Sequence, residues 1–207
     1  MLFRSGVQGA SLAFHLARRG QRVLVLERNA VAAGATGRSS GFVRMHYDLA
    51  SEAQLAWASY PYFRDWKERV GAGDCSFVRT GFVQLVPPAL SDALRANVAN
   101  QQALGVATQL VTPADIARIV PGAIVDDIEV AAWEPGSGYA DPSGTAAGFM
   151  AAARSQGARL VTGCQVDRIT VAGERVTGVE TSRGRFEAPV VVLVNGAWAA
   201  TVAATVA

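Results

Sequence analysis

The segment Arg4-Ser5-Gly6-Val7-Gln8-Gly9 constrains this chain more than any other part of it. It holds the last two glycines of a G-x-G-x-x-G turn, with Arg4 in the place of the first. Ala10 to Gly20 then reads as a helix, Val23-Leu24-Val25-Leu26 as a parallel strand buried on both faces, and Glu27 as the acid that ends it. In such a βαβ unit the first glycine allows the tight turn. The second lets backbone amides approach a pyrophosphate, and the third lets helix and strand pack closely. Gly6 and Gly9 suit the last two tasks, Ala10, Ala13 and Ala17 suit close packing, and Gly20 suits a helix stop. The helix N-terminus adds partial positive charge toward phosphates. Glu27 stands where an acid accepts hydrogen bonds from ribose hydroxyls and disfavours a 2′-phosphate, which points to FAD or NAD rather than NADP. The simpler alternative is a glycine-containing loop before a surface helix, with Glu27 a solvated charge.

Bulk properties narrow the remaining classes. At 207 residues and 50% hydrophobic, the chain has length for one large or two small domains with a substantial core. The net charge of +2 is spread without a basic block or acidic tail, which argues against a nucleic-acid partner. No apolar run reaches the roughly 18 residues of a membrane span, and the N-terminus does not read as a signal peptide. Cys75 and Cys164 have no C-x-x-C spacing and read as small buried hydrophobes in a reducing, cytoplasmic compartment.

After Glu27 comes the small-residue loop Gly34-Ala35-Thr36-Gly37-Arg38-Ser39-Ser40-Gly41, whose glycines permit close approach to a ligand and whose hydroxyls and guanidinium donate to anionic oxygens. Residues 49–70 predict one helix, with Leu55, Trp57, Tyr60, Phe63 and Trp66 at mixed helical spacings and the aromatics among them in the core. Residues 77–86 predict one or two antiparallel strands. A helix over 91–104 follows, then a strand over 108–111 and a helix N-capped by Thr112 with Pro113 at its first turn. The pattern then returns to α/β texture: a helix over 143–156, a strand from Arg159, a hairpin around Ala172-Gly173 and a buried strand Val190–Val194 before Asn195-Gly196. The chain therefore divides into residues 1–76, 77–140 and 141–207. The expected fold class is α/β, a Rossmann-like nucleotide-binding domain interrupted by an α+β substrate-domain segment.

In this order the parts resemble the FAD-dependent amine and amino-acid oxidoreductases that include D-amino-acid oxidase, glycine oxidase, and sarcosine and dimethylglycine oxidases. The matching segments are Gly6 to Ser11, Val23 to Arg28, Gly34 to Gly41, Gly138-Tyr139-Ala140-Asp141-Pro142, Gly157-Ala158 with the Val166 strand, and Val192 to Trp198. Gly41-Phe42-Val43-Arg44-Met45-His46-Tyr47 looks most like the sarcosine and dimethylglycine branch.

The resemblance implies FAD as cofactor and hydride removal from a carbon bearing an amine, with oxygen or an electron carrier as acceptor. By position, Gly6 and Gly9 would approach the pyrophosphate, Glu27 would hold the adenosine ribose and Arg28 would lie on the adenine side. Thr36, Arg38 and Ser39 would line the pyrophosphate and ribityl path. Val166 would meet adenine through its backbone, and Gly196 would let the chain pass close to the cofactor. Arg44 would lie near the flavin or a substrate carboxylate, with His46 and Tyr47 as polar neighbours of the substrate.

Two departures from the family pattern matter. The strand before the fingerprint is cut to Met1-Leu2-Phe3, which would leave the strands at Val23 and Val190 facing a gap, and Arg4 would strain the turn. Relatives also continue well past the Gly196 motif. Both departures suggest an internal part of a longer enzyme, with Met1 to Ser5 foreign to its coding frame and much of the substrate pocket lying elsewhere. The alternatives are a non-catalytic nucleotide-binding subunit of a hetero-oligomer and an NAD-dependent dehydrogenase.

Overall fold

The computed structural model describes residues 1–206. Its elements, in chain order, are β1 (Leu2–Phe3), α1 (Val7–Ala17), β2 (Leu24–Leu26), β3 (Phe42–Val43), α2 (Ala50–Arg64), α3 (Trp66–Arg69), β4 (Phe82–Leu85), α4 (Ser91–Ala103), β5 (Gln109–Val111), α5 (Pro113–Ile119), β6 (Ala131–Glu134), β7 (Gly138–Tyr139), α6 (Pro142–Ser155), β8 (Arg159–Val161), β9 (Val166–Ala172), β10 (Arg175–Thr181), β11 (Gly184–Glu187), β12 (Val192–Leu193) and α7 (Ala199–Ala203). They form a mixed α/β chain of two compact units. One comprises Met1–Ser40, Lys67–Ser76 and Asp141–Ala207, the other Gly41–Trp66 and Phe77–Ala140.

The first unit is built on a parallel sheet in the order β12-β1-β2-β8. Here the expected gap is corrected. Leu2 and Phe3 pair with Val192 and Leu193 on one side and with Val25 and Leu26 on the other. Two residues suffice because bonding continues past their ends: the Met1 ammonium donates to Val190 O, Val192 N to Met1 O, and Arg4 N to Leu26 O. The expected buried strand over Val190–Val194 is also corrected. Only Val192–Leu193 pairs, and Val190 is 62% exposed, since among the described residues β12 is an edge with one neighbour.

Helix α1 lies against α6, with the Phe14 ring 5.5 Å from that of Phe149 and with Ala10, Ala13, Ala146 and Ala153 fully buried. Small side chains are what such close helix packing needs. Asp141 caps α6, its carboxylate accepting from Ser143 N at 2.9 Å, and Pro142 opens the helix. An antiparallel sheet, β11-β10-β9, turns at Gly173 (φ 58) and packs Ile169 and Val179 with Leu26 and Cys164.

In the second unit β4-β6-β5 form an antiparallel sheet. Leu94 and Val98 of α4 pack with Val130 and Ala132, and Ile116 of α5 packs with Val111 and Ala131. Thr112 and Asp115 close the expected cap of α5 as a reciprocal capping box. The single helix expected over 49–70 is instead α2 and α3, parted at Asp65 (φ −117, ψ 43). Pro61 lies in the last turn of α2, where its missing N–H weakens the helix just ahead of the break. Of the expected core aromatics Tyr60 and Trp66 are buried and Trp57 and Phe63 half-buried, while Leu55 is 69% exposed. Of residues 77–86 only Phe82–Leu85 is a strand, with Val78 making one bridge to Tyr139. No helix among the described residues is long and apolar enough to cross a membrane.

Candidate functional site

In the first unit a cleft of ≈ 570 Å³ opens between the start of α1, the loop after β2 and the turn after β12. Gly6 N-caps α1 without a side chain, so the amides of the first turn look outward. Val7 N donates to Thr36 Oγ1 at 3.0 Å, and the amides of Gln8 and Gly9, in the first turn of α1, precede the helix's own i→i−4 ladder. A Cβ on Gly9 would run into the carbonyl oxygen of Arg4, and one on Gly6 would stand 3.0 Å from Thr36 Oγ1. Gly9 is therefore required by the turn itself, whereas at Gly6 the neighbour is a side-chain hydroxyl of the loop after β2.

Glu27, 5% exposed, stands at the end of β2 and lines the cleft. Its Oε2 accepts from Ser5 N at 2.8 Å and Ser5 Oγ at 2.9 Å, and its Oε1 accepts from Asn29 N at 2.9 Å. A carboxylate has about four lone-pair sites, so Oε1 retains capacity for a ligand hydroxyl.

Arg4 takes φ 85, the left-handed conformation that the first glycine of such a turn would otherwise supply. Its guanidinium carbon lies 4.9 Å over the ring of Trp198. Arg28 and Arg38 line the same cleft, and none of the three has a carboxylate partner among the described residues. Asn195 donates from Nδ2 to Trp198 O at 2.9 Å, while its buried Oδ1 has no partner among the described residues. Gly196 follows at φ 56. A smaller cavity of ≈ 300 Å³ adjoins and is lined by Gln165, Val166 and Asp167 together with Arg4, Arg28 and Asn195. Gly6, Glu27, Arg28, Thr36, Arg38, Val166 and Gly196 thus come together, with Gly9 buried just behind them. Ser39 is exposed and does not line the cleft. Arg4, Asn195 and Trp198 also line the cleft, which the sequence does not single out. The signal for Arg4 was its place in the fingerprint.

Arg44, His46 and Tyr47 meet in the second unit, around a cavity of ≈ 630 Å³ that Asp48, Glu52 and Asn97 also line. The Arg44 guanidinium carbon sits 4.9 Å from the Tyr47 ring centroid and 5.4 Å from that of Phe82. His46 is 3% exposed, with Nε2 3.3 Å from Asn97 Nδ2 and Nδ1 3.9 Å from Glu134 Oε1. Burial holds the ring below its ordinary 6.5, against the upward pull of Glu134 and Asp48, so it is neutral at pH 7. Asn97 can only donate from its NH₂ group, so this contact is a hydrogen bond in the tautomer that carries its proton on Nδ1, the nitrogen that faces Glu134. The fully buried Glu134 accepts at Oε2 from Met45 N at 3.1 Å and Ser137 Oγ at 2.7 Å. Sequence reasoning missed Glu134, although it ends a buried strand as Glu27 does.

Unmatched guanidinium groups and open helix amides give the first cleft donors of the kind that suit phosphate oxygens, and the orphaned amide oxygen is an acceptor of the kind that suits a hydroxyl. A family model described as FAD dependent oxidoreductase matches residues 5–207. The chain is 28% identical over 210 residues to human mitochondrial sarcosine dehydrogenase, covering 95% of this chain and 22% of that protein. It is 26% identical over 197 residues to the mouse mitochondrial pyruvate dehydrogenase phosphatase regulatory subunit, covering 94% of this chain and 22% of that one. Among solved structures, L-proline dehydrogenase from P. horikoshii matches with a TM-score of 0.91 at 27% identity, over 99% of this chain and 54% of that one. The chain thus spans 22% of the length of these two curated relatives.

Proposed function

The chain belongs to the family of FAD-dependent oxidoreductases, and from that premise we propose that its parallel-sheet cleft holds FAD in a protein that oxidises the C–N bond of a small amine or amino acid. One observation carries the cofactor part. Three arginines without carboxylate partners converge on the cleft with open α1 amides and the orphaned Asn195 Oδ1. The donor set fits FAD, whose family assignment replaces the NAD alternative. In this reading Gly6, Gly9, Thr36 and Arg38 accommodate the pyrophosphate, and Glu27 receives a ribose hydroxyl on Oε1. Arg28 and Val166 bound the adenine side, and Gly196 leaves room for the backbone to approach. Ser39 is assigned to the ribityl path on the resemblance alone.

FAD, when bound, supplies the redox chemistry by accepting a hydride equivalent. The chain's own groups bind and orient. Arg44, steadied by the Tyr47 and Phe82 rings, holds the carboxylate of an amino-acid substrate. His46 has little exposure and faces protein at both ring nitrogens, which suits holding the Arg44–Tyr47 segment in place better than exchanging protons with a substrate. Hydride removal from a neutral amine requires no such exchange.

A second reading, a flavin-binding subunit without catalysis, has its own support in the likeness to a phosphatase regulatory subunit. Adding FAD to the purified chain and recording its visible spectrum, with anaerobic N-methylglycine, N,N-dimethylglycine or L-proline, separates the two. A bound flavin bleached by one of these amines is the expected result. A bound flavin that none of them bleaches favours the subunit, and failure to bind FAD sinks both readings.

A further inference from the structure

We infer that Arg4 is a diphosphate-binding residue, delivering a guanidinium to the cleft from the place where the fingerprint has a glycine; the inference deepens the FAD reading and rests on it. Position 4 needs the left-handed turn whatever residue stands there, and Arg4 adopts it at φ 85. Its side chain stays in the cleft. Nη1 lies 3.8 Å from where a Cβ on Gly34 would be, and Cζ lies 4.9 Å over Trp198. Gly34 belongs to the loop after β2 and Trp198 to the turn after β12, so the guanidinium reaches across the cleft between them. It lines both the larger cleft and the adjoining cavity that holds Val166.

The charge of Arg4 is unmatched. No carboxylate among the described residues pairs with it, and the acid of the cleft, Glu27, is engaged by Ser5 and Asn29. Asn195 is an independent sign of a ligand there: it is 5% exposed, lines both cavities, and leaves a buried Oδ1 without a partner among the described residues, an acceptor placed for a hydroxyl of the ligand while the guanidinium takes its phosphate oxygens. A planar fork held only by an aromatic face is suited to two phosphate oxygens, which bind a guanidinium more strongly than a ring does. The ligand feature recognised is the diphosphate of a dinucleotide, which adenosine lacks.

The test titrates the full 207-residue chain with FAD, ADP and adenosine, alongside Arg4→Met and Arg4→Gly. Arg4→Met keeps a side chain at the strained position and removes the charge, whereas Arg4→Gly removes both. Both variants are expected to weaken FAD and ADP about tenfold, leave adenosine unchanged and flatten the salt dependence. Unchanged ADP affinity in both variants overturns the inference while FAD binding by the parent chain upholds the wider reading. Tighter ADP binding by Arg4→Gly, with Arg4→Met unchanged, overturns it in favour of turn strain alone. Failure of the parent chain to bind FAD or ADP overturns both. Should Arg4→Gly not fold by circular dichroism, Arg4→Met decides by itself.

Discussion

The carboxylate of Glu27 accepts both the main-chain N–H of Ser5 at 2.8 Å and its hydroxyl at 2.9 Å, tying the turn after β1 to the end of β2. Ser5 is fully buried, so without Glu27 its N–H has no solvent to turn to. The acid that reads as a ribose ligand is thus also a structural clamp. Glu27→Ala is expected to destabilise the chain by about 2–3 kcal/mol with no nucleotide present. Urea unfolding measures this, and a parental midpoint would reduce Glu27 to a ligand contact.

The two glycines of the fingerprint should differ in how much they tolerate. A methyl on Gly9 meets the carbonyl oxygen of Arg4, which is backbone and cannot step aside. A methyl on Gly6 meets Thr36 Oγ1 at 3.0 Å, a hydroxyl that a small rotation relieves at the expense of its bond to Val7. Gly9→Ala should cost about 3 kcal/mol or more, and Gly6→Ala about 1 kcal/mol. Thermal unfolding of the two variants ranks them, and equal losses would contradict the geometry.

What was legible in the sequence was what is local. Thr112 and Pro113 announce the start of α5 within two residues, and Gly6, Gly9 and Glu27 announce the βαβ turn within about twenty-five. The role of Leu2–Phe3 was not legible, because two apolar residues become a central strand only through partners at Val25 and Val192. The break in the helix at Asp65 depends on backbone geometry that apolar spacing does not encode. Glu134 reaches Met45 across 89 residues, and no local pattern predicts such a bond. The lining of the first cleft was legible in part because most of it lies in short motifs, though Ser39 stands outside it and Asn195 and Trp198 join it. The surroundings of Arg44 were not, since Phe82, Asn97 and Glu134 come from separate elements.

Glu134 should prove to be the anchor of the Arg44–Tyr47 segment. Removing it leaves Met45 N–H unpaired and the Ser137 hydroxyl with only the Met45 sulfur at 4.0 Å, in a fully buried place. Glu134→Ala is therefore expected to cost about 3 kcal/mol, with Glu134→Gln milder because one oxygen can still accept. Glu134→Gln should also lower the titration midpoint of His46 further, since the carboxylate's upward pull is lost. The imidazole resonances followed by NMR against pH give the midpoint; an unmoved one would show that Glu134 and His46 do not sense each other.

The stability of the chain should fall as the solution is acidified below about pH 6.5. His46 titrates at its ordinary 6.5 in the unfolded chain and lower in the folded one, where burial outweighs Glu134 and Asp48, which raise it, and Arg44 adds to the lowering. Asn97 and Gln101 face it as neutral groups. Between the two values the unfolded chain binds more protons, so stability rises with pH there. The contribution is complete above the unfolded value and disappears as pH drops through the folded one. His15, lowered by burial and by Arg19 and Arg18, acts in the same direction. Urea midpoints taken from pH 5 to 8 should therefore slope upward in the parent chain, less in His46→Gln, and less again in the double variant with His15→Gln. An unchanged slope in His46→Gln would mean that the buried ring keeps its ordinary value and carries its charge inside the fold.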